Sequence, residues 1–326
     1  MNADMASKRE EETLGSRGNV VQTGDRRFRL REHPWLSLVA VMVTSVFALY
    51  LSGTVIFGLI GLPGGSPAAQ FAQALSYHIL TGFILAPFVL RIPKGKRPFG
   101  QYLEDIGLSK VRPFVRLVVL ALSCTTILAL SQASASFVHR LYEGLSVDGA
   151  FVRQVLDLSG DLPPRSASLL VSLPSAFEEV AFRGIVLTVF LSRYSERKSI
   201  IFSSVGFGLM HLLNLANGRE LVWVAGQVVW SFTLGIFYGY VFVRTHSLLP
   251  PMIVHYVSNV LVGSLTGYVQ SRASIEMQAV YGVILSFGIV PTTLMILWVR
   301  FFTSTWLCEA STPKQAAAEV FLAGGQ

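Results

Sequence analysis

The chain has little charge. Only 14% of its 326 residues are Asp, Glu, Lys or Arg, against about a quarter in soluble domains. Hydrophobic residues make up 52%, and the mean hydropathy is +0.55. This excludes the pair of soluble domains that the length alone would allow. Cysteine is scarce as well. Cys124 falls in an apolar run and Cys308 in the tail, so no disulfide framework is expected. There is no His-Glu-x-x-His, which excludes the common zincin arrangement, and no serine in a nucleophile-elbow context. A secretory signal peptide is not expected either, because a polar arm, residues 1–33, precedes the first apolar run. No internal repeat of the transporter kind is visible. Acids are outnumbered, and the net charge is +7. The positives lie in short loops beside apolar runs, where they act as topology signals, so no nucleic-acid partner is expected.

The chain does contain a series of apolar runs, at about 35–60, 71–90, 114–138, 167–191, 200–215, 221–243, 250–268 and 278–299. Each is near the 17–25 residues that cross about 30 Å of hydrocarbon. The expected fold is all-α, a polytopic membrane helix bundle of about eight transmembrane helices. Its parts are a disordered cytoplasmic arm over 1–33, a membrane domain over 34–302 and a short tail over 303–326. The connections after the second, fourth and sixth runs carry Arg91–Arg116, then Arg193, Arg197 and Lys198, then Arg244. The other loops carry fewer positives in a balanced mix with acids, which predicts both termini in the cytoplasm and, in a bacterium, residence in the cell membrane. Tyr102–Leu108 reads as a short interfacial helix. Ser203, Ser204, Gly206 and Gly208 invite close helix packing. Pro174 predicts a kink or a helix start four residues before Glu178.

The fourth run contains Ser175-Ala-Phe-Glu-Glu-Val-Ala-Phe-Arg183. Each ionisable group at bilayer depth costs roughly 2.5–3.5 kcal/mol on insertion scales. Glu179 and Arg183 are four apart, share a helix face and can pair structurally. Successive helical residues point about 100° apart, so Glu178 is left without that partner. His211 in the fifth run, and His255 with Asn259 on one face of the seventh, are further polar residues inside apolar segments. At 1.5 Å per residue, Glu178 lies roughly 20 Å, His211 16 Å, His255 8 Å and Asn259 14 Å from the basic-loop end. The four are therefore expected to meet in a membrane cavity open to the cytoplasm. Among the remaining histidines, His78 stands alone in the second run, His139 ends the third, and His33 and His246 lie near charged flanks.

Such a set supports hydrolysis. A carboxylate in an apolar pocket can act as general base toward water, a histidine can share the proton work, and an asparagine amide can donate to a developing oxyanion. Alternatively Glu178, His211 and His255 could hold zinc, with water as fourth ligand.

Glu178-Glu179-Val-Ala-Phe-Arg183, Phe207-Gly-Leu-Met-His211 and His255-Tyr-Val-Ser-Asn259 together resemble the CPBP family, the CAAX protease and bacteriocin-processing intramembrane endopeptidases. Asp105-Ile-Gly-Leu108 also looks like a family feature. The resemblance covers about residues 165–270, the expected catalytic core. It implies that Glu178 and His211 activate the attacking water, and that His255 and Asn259 bind the scissile carbonyl and its oxyanion. It also implies that Glu179, Arg183 and Phe207 are structural support. The implied partners are membrane lipid and a hydrophobic or lipidated peptide, including a prenylated CAAX-type one. The competing readings are a non-catalytic relative that confers bacteriocin immunity or regulates a partner, and a transporter or proton relay.

Overall fold

A computed structural model describes residues 30–64, 66–90, 98–156 and 165–306. Most of the arm, the basic stretch 91–97 and the tail beyond 306, including Cys308, lie outside the described residues. The described chain is helical and contains no strand. In order it forms α1 (Pro34–Leu59), α2 (Pro67–Val89), α3 (Pro98–Asp105), α4 (Phe114–Tyr142), α5 (Gly149–Leu156), α6 (165–191), α7 (Glu196–Ala216), α8 (Leu221–Thr245), α9 (Leu249–Leu265), α10 (Gly267–Arg272) and α11 (Ile275–Trp306).

Six of these, α1, α2, α4, α7, α8 and α11, are long and apolar enough to cross a membrane. The two other segments expected to span differ for stated reasons. α6 carries Glu178, Glu179 and Arg183, and α9 has 17 residues. Both stand inside the bundle, α6 with its entire 180–190 stretch buried. α11 runs on to Trp306, past the expected boundary at 302, and the Trp306 carbonyl accepts a hydrogen bond from Arg116 Nη1 at 2.6 Å.

Small residues set the closest approaches. α7 and α8 pack through Ser204 against Gly235 and through Gly208 against the Val228 carbonyl. A Cβ at Gly235 would stand 2.9 Å from Ser204 Cβ, and one at Gly208 would stand 2.8 Å from that oxygen. The Ser203 hydroxyl donates to the Phe182 carbonyl at 2.8 Å and ties α7 to α6. These are the close contacts that Ser203, Ser204, Gly206 and Gly208 predicted.

The end of the bundle that carries the basic loops is packed solid. Leu38, Leu90, Tyr102, Ile106, Phe190 and Phe242 belong to one buried apolar cluster there. The short helix expected before α4 is α3. Its Tyr102 hydroxyl donates to the Gly82 carbonyl. Ile106 sits so close to Gly184 that a Cβ on the glycine would lie 2.9 Å from Ile106 Cβ. Gly107 adopts φ +76°, a conformation open to glycine at little cost, and its carbonyl accepts the Leu248 N–H at 3.0 Å. Asp105-Ile-Gly-Leu108 is thus a plug clamped beneath α6 and against the turn between α8 and α9.

Candidate active site

α6 changes its winding at the acidic pair. Pro174 contributes no N–H, and Leu173–Phe177 tightens into a 3-10 turn. Val180–Leu187 then widens into a π-helical segment, a form that recurs at functional sites. Glu178 and Glu179 sit at the junction and face different surroundings.

Glu179 is completely buried, as is Arg183. Glu179 Oε1 accepts a hydrogen bond from Arg183 Nη1 at 3.2 Å and one from His255 Nδ1 at 2.8 Å. The guanidinium lies 4.3 Å from the centre of the Phe207 ring and 5.1 Å from that of Tyr238, and cation–π attraction to both rings offsets part of its lost hydration. The Tyr238 ring in turn stacks on His255, 5.2 Å away with a 16° tilt. The expected Glu179–Arg183 pair is therefore present, and Phe207 supports it. The structure adds that the same carboxylate oxygen orients His255, a link between α6 and α9 that no spacing within one helix could have revealed.

Glu178 makes no hydrogen bond or ion pair among the described residues. It lines a cavity of about 590 Å³ together with His211, His255 and Asn259, so the four residues singled out in the sequence do come together. His211 caps the long stretch of α7, and its Nδ1 lies 3.0 Å from the Phe207 carbonyl. A carbonyl and a carboxylate can only accept. Both His211 and His255 must therefore carry their proton on Nδ1, which leaves Nε2 as the atom available to the cavity.

His78 corrects an expectation. It is not isolated in its helix: it is buried, its ring centre lies 3.8 Å from that of Tyr77 with a 35° tilt, and it lines the same cavity with Tyr77. The sequence shows a His in an apolar run, but nothing in α2 says which side of the bundle it faces.

The cavity reaches beyond these residues. Its floor is formed by Thr81, Phe182, Phe207, Tyr238 and His255, and beneath that floor lies the sealed apolar cluster. From Glu178 the lining continues away from the basic loops to Asn214, Asn217, Trp223, Gln227, Gln270 and Gln278.

The zinc alternative requires Glu178, His211 and His255 to form a ligand group. Among the described residues no three His, Cys, Asp or Glu side chains are placed to hold a metal ion. The donors do not fit one, and no step below is routed through a metal.

A second polar group stands at the end away from the basic loops. Tyr268 donates to Glu143 Oε2 at 2.5 Å, Arg272 Nη1 lies 3.6 Å from Glu143 Oε1, and Arg140 reaches the Tyr268 hydroxyl at 3.3 Å. The Tyr268 hydroxyl, and then Arg272, hold the Glu143 carboxyl below its ordinary range.

The fold and site together define a polytopic membrane protein, helical throughout its described residues, with an unpaired carboxylate, three histidines and several amides around one cavity. Residues 164–261 match the family described as type II CAAX prenyl endopeptidase Rce1-like. Glu178, His211, His255 and Asn259 all fall within the matched stretch. No curated protein and no solved structure matches the chain.

Proposed function

We propose that the chain is an intramembrane endopeptidase that hydrolyses a peptide bond in a hydrophobic or membrane-tethered polypeptide. One observation carries this reading. Of two consecutive glutamates, Glu179 is bound through Oε1 by both Arg183 and His255, whereas Glu178 is unpartnered and faces a cavity shared with His211 and Asn259. An uncommitted carboxylate in apolar surroundings is suited to general-base work.

In this mechanism Glu178 accepts a proton from water as the oxygen attacks the scissile carbonyl. His211, fixed by the Phe207 carbonyl, offers Nε2 to the same water. The oxyanion is stabilised by the Asn259 amide and by His255. Because Glu179 already accepts the Nδ1 hydrogen, His255 donates from Nε2 only as the doubly protonated ring. The proton held by Glu178 then passes to the departing amine, and the two new termini leave. On the same reading eight helical segments cross the membrane and both termini lie on the cytoplasmic side, which the distribution of basic loops supports.

The sealed end weighs against a transporter, which needs access from both faces. The test is cleavage by purified protein in detergent across prenylated and unprenylated hydrophobic peptides. Glu178→Gln is expected to lower kcat/KM by about 10³-fold or more with the fold retained. Chelation is expected to leave the rate unchanged, since among the described residues no three candidate ligands are placed to hold a metal ion. Absence of cleavage, combined with a Glu178→Gln variant that keeps its cellular phenotype, would transfer the role to a non-catalytic scaffold.

A further inference from the structure

From the shape of the cavity and the distribution of charge along the chain, we infer that the site opens on the non-cytoplasmic side of the membrane, and that its substrate is an uncharged polypeptide segment presented from that side. The inference rests on the protease reading and adds a direction to it.

Two independent observations meet here. The first is which helix ends the cavity reaches. Its lining runs through the C-terminal part of α7 (Asn214, Asn217), the N-terminal part of α8 (Trp223, Gln227), α10 (Gln270) and the start of α11 (Gln278). These four ends lie at one end of the bundle, because successive membrane segments alternate in direction. At the other end Tyr102, Ile106 and Leu248 close the bundle, and Gly107 is clamped to Leu248. The second observation is charge. The connections at the closed end, α2 to α4, α6 to α7 and α8 to α9, taken with the adjoining helix ends, carry eleven Lys and Arg against three acids. Those at the open end carry Arg140, Arg153, Arg165, Arg219 and Arg272 against six acids. Positive loops are retained in the cytoplasm. The closed end is therefore the cytoplasmic one, and the mouth faces away from it.

The lining sets the substrate class. Among the described residues no Lys or Arg lines the cavity, and Glu178 is its one carboxylate. The one cation that the mechanism uses there, the protonated His255, is already paired with Glu179, so a polypeptide bearing a free C-terminal carboxylate would find no unpaired cation to meet, and burying such a group unpaired is costly. Amides dominate the approach: Asn214 Nδ2 donates to Gln227 Oε1 at 2.7 Å, and Gln278 Nε2 donates to the Ala273 carbonyl at 3.0 Å. Amides can pair with the N–H and C=O groups of an extended peptide without requiring charge. The two tryptophans of the wall, Trp223 and Trp230, 5.5 Å apart edge to face, offer apolar surface to its side chains.

The test is sided labelling of single cysteines. In a Cys308→Ser background Cys124 remains, buried. Asn217→Cys and Gln270→Cys report the mouth, and Ser109→Cys and Arg193→Cys report the closed end. Intact spheroplasts are treated with a membrane-impermeant maleimide, before and after permeabilisation. The expected result is labelling of both mouth positions in intact spheroplasts, at least tenfold above the closed-end positions, which label only after permeabilisation. The reverse pattern, labelling of all four in intact spheroplasts, or mouth positions that label under neither condition would each overturn the inference. In detergent, where sides vanish, wild-type protein is offered a fluorogenic, uncharged, C-terminally amidated hydrophobic peptide and its free-acid twin. Cleavage there with mouth labelling only after permeabilisation sinks the direction and spares the protease. No cleavage with mouth labelling in intact spheroplasts sinks the protease and spares the direction. A free acid cleaved as fast as the amide overturns the substrate class.

Discussion

The two ends of this bundle are built from the same chain by opposite rules. At the basic-loop end, side chains fill the space between helices, and Gly184 and Gly107 let α3 and its trailing turn press against α6 and α8. At the other end amides and aromatic rings leave a passage down to Glu178. The boundary between them is the Glu179–Arg183–His255 group. The difference shows how a membrane protein can hold charges at depth. One set is locked into a dry floor where each group has a partner, and one carboxylate is left over on the wet side of that floor.

The floor should be the most sensitive place. Glu179→Ala leaves Arg183 buried without its carboxylate, and breaking such a pair typically costs about 3–5 kcal/mol. The expected outcome is a severe loss of monodisperse protein after detergent extraction. The double variant Glu179→Leu/Arg183→Met should recover most of the folded yield, since an apolar pair removes both desolvation costs. It should remain inactive, because His255 has lost the acceptor that fixes its Nδ1 proton. Recovery of cleavage would show that the floor is merely packing.

Breaking the seal comes next. Gly107→Ala puts a Cβ 2.9 Å from the His246 carbonyl at φ +76°. A left-handed conformation alone costs a residue with a Cβ roughly 1–2 kcal/mol. The apparent Tm in detergent should fall by several degrees while cleavage per folded molecule persists. Changes at the open end should act on binding instead. Trp223→Ala, on the half-exposed wall of the mouth, is expected to change stability by about 0.5 kcal/mol or less and to raise KM several-fold at constant kcat.

The smallest effect concerns Glu143. Its carboxyl titrates below the ordinary 4.5 because Tyr268 and Arg272 favour the charged form. A depressed acid contributes its stability above the unfolded pKa and loses it as pH falls through the folded one. The stability difference between wild type and Glu143→Gln should thus be constant from neutral pH down to about 4.5 and shrink below that. Thermal unfolding across pH 6 to 3 would show it.

The helices and the pairing of Glu179 with Arg183 were legible because both follow from spacing along one segment: apolar length in the first case, an i, i+4 contact in the second. So was the plug, although Asp105-Ile-Gly-Leu108 declared only that it was present and not what it closed. His78, the Glu179–His255 bond and the direction of the mouth were not legible. Each depends on how separate helices are rotated and raised against one another. That is decided by contacts such as Gly235 on Ser204 and Gly208 on Val228, between residues far apart in sequence.

The Glu179–His255 bond carries a mechanical corollary. It joins α6 to α9 at 2.8 Å, and a hydrogen bond weakens within a few tenths of an ångström beyond its normal range. The two helices must therefore keep their relative height to that tolerance in whatever lipid surrounds them. When a bilayer thins or thickens, helices accommodate by tilting. α6 and α9 have to tilt as one body, and any slip between them misaligns the histidine before it disturbs the fold.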